Sequence, residues 1–392
     1  MIVGIPKETF PGERRVAIIP AAVPALMKAG LEIHVESGAG DSAGFPDPAY
    51  QKEGAHIVPS HTEVFKNANV ILQVRAVGAN PEAGRFDIEL MRQDQIIIGF
   101  LDPLTFPESV KEISEKGVTA FALELIPRIS RAQSMDALSS MASIAGYKAV
   151  LLAAERLPKI FPMLMTAAGT IAPARVFVVG AGVAGLQAIA TSRRLGAVVE
   201  GYDVRPAVKQ EVESLGAKFI EMPIDVTGSQ DTGGYAKALG EEFYRRQREM
   251  MSHVVSRSDA VITTAAVPGK KAPILISREM VSGMMPGSVI VDLAAERGGN
   301  CELVHPDEII EEKGVTILGP VNLPSTVPYH ASQLYSKNIS TFLLNLIKQG
   351  RMDINLDDVI IRDTLIVQNG KIVHPRILEI YKEGVAAPHI NK

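Results

Sequence analysis

Two short stretches of this chain hold residue types at spacings that could do chemistry. The first is VFVVGAGVAG, followed by a second apolar run that closes on Asp203. Gly180, Gly182 and Gly185 make a G-x-G-x-x-G set directly after a buried-strand pattern at 176–179, and a helical pattern then runs to Gly196. The first glycine permits a tight turn, the second lets backbone approach a pyrophosphate, and the third allows close packing of helix on strand. Ala181 and Val183 complete the turn. The helix behind it would face phosphates with unpaired N–H groups and the positive end of its dipole. Asp203, 18 residues after Gly185, stands where a carboxylate accepts from adenosine ribose hydroxyls. Its charge would repel a 2′-phosphate, so NAD is expected over NADP. Arg205 would weaken that preference if it met a 2′-phosphate, and pairing with an acidic neighbour is the other option. A glycine-rich turn alone would explain the glycines, but not the acidic residue that ends the unit.

The second stretch is PRISRAQSMDALSS, residues 127–140. Arg128, Arg131, Gln133, Asp136 and Ser139 are a costly set of polar groups between an apolar run, FALELI, and a small-residue segment, ASIAGYKAVLLAA. Their types and spacing raise the question of what they hold. A polar helix N-cap flanked by surface arginines would use the same residues.

What is missing narrows the chemistry. A nicotinamide enzyme that oxidises an alcohol or amine needs an acid/base, because a proton moves with the hydride. Of the eight histidines, none lies between 62 and 252. No Ser/His/Asp or Cys/His arrangement stands out, and no ligand spacing suggests a metal, so none is expected. Cys301 is the lone cysteine, which excludes an internal disulfide and reads as a small core residue in a reducing compartment.

Those residues need elements to hold them. Short β-rich runs alternate with helical patterns, which argues α/β with parallel sheets. One series is MIVGIP, LEIHVES, ANVILQV, QIIIGFL and VTAFALEL; the other is RVFVVG, VVEGYDV, AKFIEM, DAVITTAAV, SVIVDLAA and VTILG. Residues 138–157 read as a long helix bridging two domains. The tail carries a helix, KNISTFLLNLIKQG, then a hairpin-like piece, DTLIVQNGKIV, turning at Asn369-Gly370, and is expected to pack back on the first domain. The expected plan is an N-terminal domain of 1–138 with 329–392, and a second domain, 139–328, inserted in it, with a cleft between them. ESGAGDSAGFPDP mimics the glycine fingerprint, but its third glycine, Gly44, falls one residue late and its prolines are expected to forbid an immediate helix; it reads as a structural turn. Residues 225–251 delay the next strand, and a long glycine-bearing segment of this kind is a lid or a linker; Tyr235, after Gly233-Gly234, favours a lid.

Composition sets the outer bounds. At 392 residues, with 46% hydrophobic and 21% charged, the chain is long enough for two well-buried domains. A net charge of −4 supplies no phosphate-neutralising surplus, so no nucleic-acid partner is expected. No signal peptide and no uninterrupted spanning segment is expected either, and the chain reads as soluble.

The motifs GIPKETFPGERRVAIIP, ELIPRISRAQSMDALSS, FPMLMTAAGTIAPARVFVVGAGVAGLQAIATSRRLGA, TGGYAKALGEEF and VIVDLAAERGGNC, spread over nearly the whole chain, resemble the NAD(H)-binding component of proton-translocating nicotinamide nucleotide transhydrogenases. That resemblance implies two Rossmann-like domains, and hydride transfer from NADH to NADP⁺ held on a partner subunit. It further implies a membrane-spanning component coupled to proton movement, a homodimer, and a cytoplasmic place at the inner face of the membrane. It implies that Arg128 and Asp136 pair, that Arg128 and Ser139 hold the carboxamide or phosphate side, and that Gln133 faces the partner's NADP(H). Ile129, Ser130, Ala137 and Leu138 complete that loop. Around the fingerprint it adds Val204 and Arg205; Gly234 and Tyr235 would form a closing loop, Gln247 would follow it, and Ala266 and Val267 would flank a ribose. Alanine dehydrogenase is the related alternative. The chain retains Arg15, where that family has its substrate-carboxylate arginine, but has Arg75 for a lysine, Asp102 for the catalytic histidine and Glu296 for an aspartate.

Overall fold

The computed structural model describes residues 1–221, 241–267 and 269–382. They form two compact units: Met1–Met141 with 324–382, and Ala142–Leu323.

The first unit contains β1 (Ile2–Ile5), β2 (Glu32–Glu36), β3 (His56–Val58), β4 (Val70–Arg75), β5 (Ile96–Phe100) and β6 (Thr119–Ala122). The central runs are apolar at successive positions because both sheet faces are covered, and Val70, Ile71, Leu72 and Val74 are all fully buried. The second unit begins with an exposed hairpin, β7 (Leu164–Thr166) and β8 (Gly169–Ile171), which the sequence reading missed. Then come β9 (Arg175–Val179), β10 (Val198–Tyr202), β11 (Lys218–Phe219), β12 (Ala260–Thr263), β13 (Val289–Asp292), β14 (Ile309–Glu312) and β15 (Val315–Leu318). In the tail, β16 (Ile347–Lys348) pairs with β17 (Arg351–Met352), and β18 (Leu365–Gln368) with β19 (Lys371–Ile372).

The larger sheet runs β19-β18-β6-β5-β4-β1-β2-β3, and the other runs β11-β10-β9-β12-β13-β15-β14. Both are doubly wound. The strand order reverses beside β1 and β4 in one unit, and beside β9 and β12 in the other. Neither sheet is wholly parallel: β14 is antiparallel to β15, and β18 is antiparallel to β6. The tail thus returns to the first unit as a sheet extension, turning through Asn369 (φ 47°) and Gly370 (φ 76°).

The helix Ala137–Arg156 is 20 residues long and, by length and composition alone, apolar enough to cross a membrane. Part of that apolarity is buried by packing: Ala149, Val150 and Ala153 lie in the core with Ala174, Val176 and Val178. A Cβ on Gly146 would fall 2.1 Å from the Ala184 carbonyl oxygen, so this helix crosses the helix Val183–Arg194 at backbone contact. The sequence that mimics the fingerprint forms a turn held by Asp47, which accepts from Ser37 Oγ and Gly38 N; a short helix, Asp47–Lys52, starts there with proline tolerated in its first turn.

Candidate functional site

The glycine fingerprint sits at the reversal point of its sheet. Gly180 follows β9 with φ 95°, a conformation that favours glycine, and its N–H donates to the Tyr202 carbonyl at 2.8 Å. Thr264, just after β12, donates its hydroxyl to the Gly180 carbonyl at 3.0 Å, which joins the two strand ends flanking the reversal. A Cβ on Gly185 would stand 1.7 Å from the Gly180 carbonyl oxygen, so this packing excludes any side chain there. A Cβ on Gly182 would meet nothing within 4 Å. The helix Val183–Arg194 starts beyond it with no side-chain cap. An open backbone face and an uncapped N-terminus fit a pyrophosphate, and the donor set matches a dinucleotide.

Asp203 closes the unit, nearly buried. Its Oδ2 accepts from Ala181 N at 2.8 Å and Arg205 Nη2 at 2.8 Å, and its Oδ1 accepts from Arg205 N at 2.9 Å and Nε at 2.9 Å. Of the two options for Arg205, the structure has the acidic neighbour. Val204 turns its side chain into the core beside Val179 and Tyr202. Gln247 is buried as well, donating to the Tyr202 hydroxyl at 3.0 Å, so it braces the end of β10 from behind. Ala266 is exposed and Val267 half-buried on the segment that follows β12. Gly234 and Tyr235, with most of the expected lid, lie outside the described residues.

The sequence reading missed what shapes that segment. Asn300 accepts from Ala265 N at 2.9 Å and donates to the Ala265 carbonyl at 2.8 Å and the Pro273 carbonyl at 2.9 Å. Asp292, at the end of β13, accepts in turn from Asn300 N, Cys301 N and Ala294 N. Burial raises the Asp292 carboxyl pKa, and the three backbone donors work against that shift. VDLAAERGGNC held the signal, an aspartate and an asparagine around two glycines, but nothing local says which backbone an asparagine will clamp. Cys301 is buried, and burial pushes its thiol up to about 11.

The polar stretch belongs to the first unit. Residues Ser130–Met135 form a tight turn anchored by buried Ala132 and Met135. Asn338 donates to the Ser134 carbonyl at 3.0 Å, and Arg131 makes a two-pronged pair with Asp358 at 2.8 and 2.5 Å. Asp358 also caps the helix Val359–Thr364, and the Arg131 guanidinium holds its carboxyl well below the ordinary range. Asp136 accepts from Ser139 N at 2.8 Å and from Ser139 Oγ at 2.6 Å, which is N-cap geometry at the start of the long helix. Its carboxylate therefore engages Ser139, a partner that the resemblance did not name for it. Ala137 is fully buried, while Arg128, Ile129, Ser130, Gln133 and Leu138 are exposed. The Gln133 amide has no hydrogen-bond partner among the described residues.

The reversal point of the first unit is filled by its own charges. Glu8 accepts from Val74 N and Arg75 N, and burial raises its carboxyl to about 8. Arg15 is buried and forked on Glu13 at 2.7 and 2.6 Å, and the Arg75 guanidinium lies 4.1 Å from the Phe10 ring centroid. Asp102 has φ 46°, and it donates its N–H, as Leu101 does, to the Glu124 carboxylate. Burial raises Glu124 to about 7. No cluster of three metal-ligating side chains occurs among the described residues.

Residues 4–145 match the N-terminal domain, and residues 149–375 the C-terminal domain, of the alanine dehydrogenase/PNT family. The chain is 46% identical over 380 residues to an NAD(P) transhydrogenase alpha-subunit polypeptide of Rhodospirillum rubrum, covering 96% of this chain and 99% of that protein. A crystal structure of transhydrogenase from Sinorhizobium meliloti superposes with a TM-score of 0.84 at 43% identity, covering 95% of this chain and all of that one. An L-alanine dehydrogenase structure superposes with a TM-score of 0.81 at 27% identity, over 98% of this chain and all of that one. With both of its domains matched in order, this chain belongs to the alanine dehydrogenase/PNT family.

Proposed function

We propose that this chain is the NAD(H)-binding subunit of a proton-translocating transhydrogenase. It exchanges hydride directly with NADP(H) held on a partner subunit, while a membrane-spanning component couples the exchange to proton movement. The observation that carries this reading is position 102. Alanine dehydrogenases, by the resemblance, have their proton-carrying histidine there, and this chain has Asp102 on a backbone tied to Glu124. Hydride transfer between two nicotinamides has no need of that histidine. The hydride leaves C4 of NADH and arrives at C4 of NADP⁺, NADH becomes NAD⁺ and NADP⁺ becomes NADPH, and no proton is exchanged.

What such a chain must supply is position and dryness. Gly180, Ala181, Gly182 and Val183 present backbone to the pyrophosphate, and Asp203, with Val204 and Arg205 behind it, meets the adenosine ribose. Ala266 and Val267 flank a ribose on backbone set by Asn300, and Gln247 acts through Tyr202. On the other unit Asp136 fixes the start of the long helix. Arg128, Ile129, Ser130, Leu138 and Ser139 then hold the nicotinamide end, with Ala137 buried at the start of the helix, and Gln133 faces the incoming NADP(H). The domains are taken as 1–138 with 329–392 and 139–328. The assembly is a homodimer attached peripherally, through its partners, to the inner face of the cytoplasmic membrane, and its exchange is Re/Si-specific.

The test is to mix the purified chain with NADH and an NADP⁺ analogue whose reduced form absorbs at its own wavelength. The mixture is run with and without a transhydrogenase NADP-binding domain. Rapid reduction only with that domain present is expected. NADH oxidation with pyruvate and ammonium would instead establish an alanine dehydrogenase.

A further inference from the structure

We propose that Arg205 is a built-in competitor for the adenosine ribose, and so the residue that sets how tightly and how selectively this chain holds its dinucleotide. The inference rests on the dinucleotide reading of the fingerprint. An ionised carboxylate offers about four acceptor positions. On Asp203 all of them are filled from within the chain. One position on each oxygen belongs to backbone: Ala181 N donates to Oδ2 at 2.8 Å and Arg205 N to Oδ1 at 2.9 Å. Those two donors are fixed by the fingerprint turn and by the end of β10. The other position on each oxygen is taken by the Arg205 side chain, with Nε on Oδ1 at 2.9 Å and Nη2 on Oδ2 at 2.8 Å. The pair is largely withdrawn from water, with side-chain exposures of 17% for Arg205 and 7% for Asp203.

Two N–H groups side by side on one rigid fork reproduce what two vicinal hydroxyls offer a carboxylate. The ribose diol can therefore reach Asp203 only by replacing the guanidinium, while both backbone donors stay where they are. Two consequences follow, with opposite signs for the two coenzymes. Breaking the pair is a cost charged to every ribose that binds, so it weakens NADH. The guanidinium also cancels the Asp203 charge and stays tethered beside the ribose edge by its own backbone N–H, which softens the repulsion of a 2′-phosphate. Arg205 thus trades NADH affinity for faster release, and blunts the selectivity that Asp203 alone would impose.

Equilibrium titration of the purified chain with NADH and with NADPH, followed by nucleotide fluorescence or calorimetry, tests this without any turnover. Arg205→Ala is expected to lower the NADH Kd roughly tenfold, as loss of one competing charge-assisted pair implies. It is expected to raise the NADPH Kd at the same time. Arg205→Lys keeps the charge without the fork and is expected to fall between. Should the alanine variant lose its fold, as its circular dichroism and thermal transition would reveal, the lysine variant decides by the same sign. Unchanged or weaker NADH binding by a folded variant would overturn the inference, because a purely structural or directly contacting arginine cannot improve affinity when removed. Failure of the unmodified chain to bind NADH at all would overturn the dinucleotide reading and this inference with it, an outcome distinct from the previous one.

Discussion

At the scale of single residues, the polar stretch at 127–140 divides its members by task. Asp136 and Arg131 are spent on structure, one capping a helix and the other forked on Asp358. Gln133 is exposed, with its amide available. A residue placed to meet the second nucleotide should affect the distance between reacting carbons far more than the binding of the first. Gln133→Asn, one methylene shorter, is therefore expected to slow hydride transfer at least tenfold while leaving the NADH Kd nearly unchanged. Single-turnover kinetics beside a binding titration measures both, and a large loss of NADH affinity would mean that Gln133 holds the bound nucleotide instead.

At the scale of elements, the backbone after β12 is shaped by a side chain from the loop after β13. Asn300 is fully buried, and its side chain satisfies three backbone groups while its N–H is held by Asp292. Removing the carboxamide strands a buried donor and two acceptors, at about 1–3 kcal/mol each before relaxation and water entry. Asn300→Ala is expected to cost about 2 kcal/mol of stability, and to weaken NADH binding several-fold through Ala266 and Val267. Denaturant unfolding together with NADH titration checks both. Equal affinity in the variant would remove the segment at 265–267 from the nucleotide site.

At the scale of the whole molecule, ionisable groups buried in the first unit predict how folding responds to pH. His61 sits between Glu36, at 3.0 Å, and Asp87, at 2.7 Å. Burial alone would lower its pKa, but the bonds and charges of Asp87 and Glu36 overcome that and raise it to about 9. A histidine raised in the folded state stabilises fully below its ordinary value near 6.5, and that contribution is lost as pH climbs through 9. The buried carboxyls of Glu8, at about 8, and Glu124, at about 7, act with the same sign, since burial favours their protonated forms. Unfolding free energy is therefore expected to fall from pH 4.5, where the two carboxyls begin to lose their contribution, up to pH 9, with up to about 3 kcal/mol of the loss above pH 6.5 coming from His61 alone. Calorimetry across that range measures the slope, and His61→Gln should flatten it; an unchanged slope in the variant would clear His61 of this role.

The sequence by itself determined the class of fold, the fingerprint and the ends of most central strands. Those features are written in local periodicity and in glycine positions, where backbone sterics leave few choices. Asn369-Gly370 was legible for the same reason, since a two-residue hairpin turn needs positive φ at both positions. Short or exposed strands escaped: β3, β14 and the β7–β8 hairpin have too few residues or too little alternation to stand out, and only pairing defines them. The helix at Asp47–Lys52 was underestimated because its prolines fall where a first turn has no N–H bond to lose. Tertiary structure alone decided which polar residue meets which. Gln247 turned inward to Tyr202, Asp136 engaged Ser139, and Asn300 clamped residues 35 and 27 positions away. A buried polar group must bond to whatever the fold brings near it, and that neighbour is set by strand order, which sequence spacing does not encode.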